Sequence, residues 1–122
     1  MRKSLSLLAA AAVLSVAAGA AQAAEYAIDP THTFATFEIG HFGASVNRAR
    51  FDKKEGKISF DKAAKTGKAE ISIDMTSVNS GTAMFDKHLQ SAEIFDAAKN
   101  PKATFVSSKF VFNGDKVSAV EG

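Results

Sequence analysis

The 122-residue chain has no cysteine and no tryptophan, two prolines and a single tyrosine. Without cysteine there is no disulfide, no thiolate nucleophile and no cysteine metal site. An oxidising compartment permits disulfides but does not demand them, so the fold must rest on apolar burial alone. An excess of charge of one sign is also missing. The chain carries 15 basic and 13 acidic residues, and removing Arg2 and Lys3 leaves 13 of each. A neutral chain lacks the basic footprint of a nucleic-acid or acidic-membrane binder. Lys53, Lys54, Lys57, Lys62, Lys65 and Lys68 alternate with Asp52, Glu55, Asp61 and Glu70, the pattern of a solvated face. There is no glycine-rich phosphate loop, internal repeat or low-complexity tract.

Long hydrophobic runs are confined to the start. Arg2 and Lys3 precede an apolar stretch from Leu5 to Ala18, broken only by Ser6 and Ser15, and Ala21-Gln22-Ala23 follows. That order predicts a secretory signal peptide over residues 1–23 and one domain over 24–122. The rival is an uncleaved anchor, but the run falls short of the roughly 20 residues a span needs. No cysteine follows it, which excludes a lipoprotein anchor. The expected product is periplasmic and not membrane-spanning after cleavage.

Ten phenylalanines supply an aromatic interior. Tyr26-Ala27-Ile28-Asp29-Pro30 is a lead-in stopped by proline. Thr33 to Phe42 reads as a strand with Ala35, Phe37, Ile39 and His41 in one phase. Ser45 to Phe51 is a weaker strand, and Ile58 and Phe60 share a face after Gly56. Lys68 to Met75 alternates most cleanly: Ala69, Ile71, Ile73 and Met75 against Lys68, Glu70, Ser72 and Asp74. Such alternation marks a half-buried antiparallel strand. Charge on its outer face argues against an outer-membrane barrel, which needs an apolar outer band.

Asn79 or Ser80 is placed to cap a helix on which Met84, Phe85, His88 and Leu89 form a stripe. A further helical turn is predicted through Glu93–Lys99, ended by Asn100-Pro101. Ala103, Phe105 and Ser107 resume a strand. Phe110 and Phe112 fall in the opposite phase, which predicts a bulge near Ser107-Ser108. Asn113-Gly114-Asp115 is a hairpin turn. The whole predicts an all-β, antiparallel, up-and-down barrel with a short helical insert. Roughly six strands are legible where a ligand-holding barrel takes about eight, so the barrel is expected to be incomplete, lacking C-terminal strands. Its exposed edges leave swapping, aggregation or a homodimer open.

Several blocks, in order, resemble the YceI-like family of periplasmic, lipocalin-like, polyisoprenoid-binding proteins. They are Tyr26-Ala27-Ile28-Asp29 with His32-Thr33, Phe37-Glu38-Ile39-Gly40-His41, Asp86-Lys87-His88-Leu89, and Phe95-Asp96 through Ser107. The chain departs from the family at Phe85, where arginine is frequent, and it lacks a later Gly-Val-Thr-Lys-Pro-like turn. The resemblance implies a barrel whose bore holds an isoprenoid lipid or a quinone tail, with no cofactor and no nucleic-acid partner.

A bore lined by Phe37, Ile39, Ile71, Ile73, Met75 and Phe105 would suit such a tail, each buried methylene contributing about 0.8 kcal/mol. The same side chains could instead fill a solid core; alternation alone does not choose. His41, Asp86 and His88 are the polar candidates for the mouth. His32, His41 and His88 are too scattered for a predicted metal site. Ser91, His88 and Asp86 could be written as a hydrolytic set, yet no nucleophile elbow accompanies them, and no catalytic residue is assigned. The function expected is non-enzymatic carriage of a polyprenyl phosphate or quinone. The alternative is an enzyme of envelope lipid metabolism acting on the bound head group.

Overall fold

The computed structural model describes residues 23–122, so the expected signal peptide lies outside the described residues except for Ala23. The strands are β1 (Ala24–Ala27), β2 (Ala35–His41), β3 (Ser45–Phe51), β4 (Lys54–Asp61) and β5 (Thr66–Asp74). A 3-10 turn (Met75–Ser77) leads into the short β6 (Val78–Asn79) and the helix α1 (Ala83–Gln90). Then come β7 (Lys102–Val106), β8 (Lys109–Asn113) and β9 (Lys116–Glu121). Every strand pairing is antiparallel. The all-β class with one short helix is therefore as the alternation predicts. The count is nine strands rather than six, because the lead-in forms β1, the chain turns through β6, and the region after Phe105 splits in two.

The strands form three sheets, ordered β1-β4-β5-β7, β2-β3-β6 and β8-β9. They follow the course of a lipocalin-like barrel that is not closed among the described residues. The first two sheets meet where Asp52 N–H donates to the Ser77 carbonyl and Asp74 N–H to the Lys53 carbonyl, each at 3.0 Å. Residues directly opposite across a pair share a face. Gly56–Ile71–Phe105 and Lys54–Ile73–Ala103 are therefore rows across three strands of the large sheet. Phe37–Ala49 and Ala35–Phe51–Val78 are the matching rows of the second sheet.

Four local expectations need correction. The cleanest strand ends at Asp74, not Met75. Its carboxylate accepts from Thr76 N–H at 2.9 Å and draws the chain into the 3-10 turn. The helix N-cap is Thr82 rather than Asn79 or Ser80. Glu93–Lys99 makes successive turns, not helix. No bulge sits at Ser107-Ser108; the strand breaks there and changes sheet, and the register shift lies between Val111 and Phe112. The β8–β9 turn forms at Gly114-Asp115 as expected, with Asn113 facing Lys116.

The packed core lies under the second sheet. Ala49, Phe51, Val78 and Leu89 are buried, with Phe37, Ile39, Ile73, Met75, Phe85 and Phe95 against them. Phe37 stands edge-on to Phe95 at 5.5 Å and tilted against Phe51 at 5.3 Å, arrangements aromatic quadrupoles favour. The predicted helical stripe divides here. Phe85 and Leu89 pack inward, whereas Met84 and His88, one position earlier in each turn, face solvent. On the other side, Phe60 stacks on Phe112 at 5.9 Å and tilts against Phe110 at 6.4 Å.

A groove on an open sheet

The six residues predicted to line a bore separate into two groups. Phe37, Ile39, Ile73 and Met75 abut the aromatic core and form its rim. Ile71 and Phe105 stand away from it, paired across β5 and β7, beside an open groove of about 650 Å³. That groove runs along β1, β4, β5 and β7; Ile28, Gly56, Ile71, Phe105 and Val106 border it together with the charged Lys57 and Glu70.

Gly56 shapes this surface. A Cβ at that position would lie 2.8 Å from the Glu70 carbonyl oxygen and 3.3 Å from the Ile71 side chain. Only glycine allows β4 and β5 so close an approach, and glycine within a strand marks such contacts. Ile28, next in chain after β1, lies against the same spot. The result is a trough with Ile28 on one side and Ile71 and Phe105 on the other.

One end of the trough is polar. A smaller hollow of about 230 Å³ shares Lys54, Glu55 and Ser72 with the groove and adds Lys53, Asp74 and Lys102. Lys102 Nζ lies 3.2 Å from Glu55. The hydroxyl and N–H of Thr76 hold the Asp74 carboxyl below its ordinary range, with Lys53 and Lys102 adding to the effect. Lys54 occupies the apolar phase of β4, opposite Ile73. Its ammonium reaches the Asp52 carbonyl at 3.4 Å and sits 5.9 Å from the Phe34 ring centre. The Lys53 and Lys102 ammonium groups thus stand against the Glu55 and Asp74 carboxylates, a balanced set, while the Lys54 ammonium turns away toward Asp52 and Phe34. Alternation missed Lys53 and Lys102 because they read as solvated charge; only the cross-strand pair Asp74–Lys102 brings them together.

The three polar candidates do not converge. His41 ends β2 at the hairpin turn, its ring 4.5 Å from that of Phe42. Asp86 and His88 lie on α1, which packs by β6 at the other end of the hairpin, beside Arg50 and Phe51. The six steps from Ala35 to His41 span roughly 20 Å at strand rise. Asp86 acts as a brace, accepting from Ser80 N–H at 2.7 Å and Ser80 Oγ at 2.6 Å. His88 is solvent-exposed. Ser91 Oγ donates to the His88 carbonyl at 2.6 Å, closing the helix end rather than meeting the imidazole. Among the described residues no three metal-ligating side chains cluster.

A model of the YceI-like domain family matches residues 26–122. A UPF0312 protein of Vibrio cholerae is 37% identical over 125 residues, covering 100% of this chain and 66% of its own length. A UPF0312 protein of Pseudomonas aeruginosa is 39% identical over 118 residues, covering 94% of this chain and 61% of itself. The chain thus spans a little under two thirds of the length of these relatives. Among solved structures, Burkholderia cenocepacia BcnA superposes with a TM-score of 0.64 at 27% identity, over 71% of this chain and 55% of BcnA. A Campylobacter jejuni YceI protein superposes at 0.51 with 34% identity, over 70% of this chain and 50% of its own.

Proposed function

This chain belongs to the YceI-like domain family, and from that premise we propose that it is a non-enzymatic periplasmic binding protein for long-chain isoprenoid lipids. The family resemblance carries the ligand class, a polyprenyl phosphate or quinone. One observation carries the site: an open groove of about 650 Å³ runs along the large sheet, where Ile28, Ile71 and Phe105 lie among Lys57, Glu70 and Ser72. That volume falls within the roughly 300–1,000 Å³ of small-molecule sites. Ile28, Ile71 and Phe105 offer a greasy track, and hydrocarbon burial of about 0.8 kcal/mol per methylene supplies affinity without polar contacts. The lysine-rich hollow at the end of the track receives the head group. Lys53 and Lys102 offer it two ammonium donors that suit a phosphate, held among Glu55 and Asp74.

Native mass spectrometry of the chain purified from its host tests this reading. The expected result is a co-purifying apolar species of definite mass, lost on Phe105→Asp. Absence of any adduct, together with no thermal shift on adding polyprenyl phosphate, would sink it. His88→Ala separates the enzymatic alternative, which predicts lost turnover of the head group with the lipid still bound.

A further inference from the structure

The β2–β3 hairpin turns through Phe42 and Gly43, with φ of 51° and 72°, and Ala44 N–H donates to the His41 carbonyl at 3.0 Å. Left-handed backbone at both central positions is the geometry of a type I′ turn, which selects Asn-Gly or Asp-Gly. A bulky aromatic in that conformation is an outlier. Its ring is not repaid by packing within the fold, because Phe42 is 94% exposed, touching the His41 ring at 4.5 Å centre to centre. Backbone outliers that local packing does not explain point toward a role outside the fold.

We propose that this tip is a membrane-docking element: Phe42 enters the interfacial layer of a lipid bilayer. Val46, 49% exposed, stands four residues on along β3. Residues 39–47 contain no Asp, Glu, Lys or Arg, so no fixed charge must shed its water as the tip enters. The first charges behind it, Glu38 and Arg48, face each other across the hairpin and pair at 2.6 Å. The local field is therefore close to neutral and neither repels nor requires an anionic surface. A second copy of the chain is a poor occupant. One phenylalanine and a half-exposed valine fall far below the roughly 800 Å² per partner that a stable interface buries. So small an apolar tip gives transient partitioning rather than anchorage. Transient contact is what collecting a lipid from a membrane requires, and in that purpose alone the inference rests on the lipid-binding reading.

The chain has no tryptophan, so Phe42→Trp installs a single probe at the tip that reports no other part of the chain. The expected result is a blue-shifted emission on adding phosphatidylcholine vesicles, quenched by lipids brominated near the head-group end of their chains. Salt and added phosphatidylglycerol should leave the shift unchanged. Phe42→Asn, which suits the left-handed position, should melt at the same or a higher temperature. It should acquire polyprenyl phosphate from doped vesicles several-fold more slowly, yet retain lipid once loaded. An emission that vesicles do not move would overturn the inference. So would a blue shift already present without vesicles that grows with protein concentration, which would place the tip against a second copy. Insertion of the probe with no lipid uptake would sink the carrier reading and leave the docking tip standing.

Discussion

Asp29 shows how one side chain fixes a border of the groove. Its Oδ1 accepts from Thr31 N–H at 2.8 Å and from the Thr31 hydroxyl at 2.6 Å, and Oδ2 meets His32 Nδ1 at 2.7 Å. These bonds favour the ionised form and lower the carboxyl from 3.8 to about 2, the Thr31 hydroxyl contributing most and His32 next. They hold the bend carrying Pro30, which borders the trough. Because the folded-state value lies below the unfolded one, the stabilisation is fully present above pH 3.8. It fades as pH falls from there through about 2. An NMR titration of the Asp29 carboxyl should therefore show a midpoint near 2, with the Thr31 amide moving in step. A midpoint at the ordinary value would mean that the turn is not held in solution. From sequence, Asp29-Pro30 was legible as a strand stop; the grip on Thr31 and His32 was not, because it depends on the bend being formed.

At the scale of elements, β5 was the most legible part. Ala69, Ile71 and Ile73 face inward as their alternation requires, and Ala69 is buried at 5% exposure. Legibility failed where a side chain competes with the backbone ladder. Asp74 captures Thr76 N–H and ends the strand, the competition expected of Asp near a strand end. It failed again where Met84, Phe85, His88 and Leu89 read as one helical stripe, of which only Phe85 and Leu89 met the core. The break after β7 follows the same logic. Ala69 N–H donates to Ser107 Oγ at 2.7 Å, while Ser107 N–H donates to the Ala69 carbonyl at 2.8 Å. Ser108 N–H then turns to the Glu121 carbonyl at 2.7 Å in the next sheet. The serine hydroxyl thus replaces a backbone carbonyl at the point where the strand changes sheets. Ser107→Ala should orphan a buried N–H and destabilise by about 1–3 kcal/mol, read as a lower urea midpoint. Ser107→Thr, which keeps the hydroxyl, should recover most of it. Equal midpoints for all three would show that water replaces the hydroxyl at no cost.

For the molecule as a whole, the apolar phases divide into a plug and a track. Leu89 is the one large side chain with no exposure among the described residues, and it ties α1 to Phe51 and Val78. Leucine-to-alanine changes at such sites cost about 2–5 kcal/mol, against a total of about 5–15 kcal/mol for an ordinary domain. Leu89→Ala should therefore lower the urea midpoint sharply and blunt cooperativity. Phe105 presents the opposite case. At 36% exposure it gives up less packing, so Phe105→Ala should cost well under the Leu89 change. It should nevertheless abolish the ligand-induced rise in melting temperature that mass action demands of any ligand held by the native state. The pair of variants asks which apolar side chains hold the protein together and which wait for a hydrocarbon. Were Phe105→Ala to unfold the chain as readily as Leu89→Ala, the groove face would be core, and the lipid would need another seat.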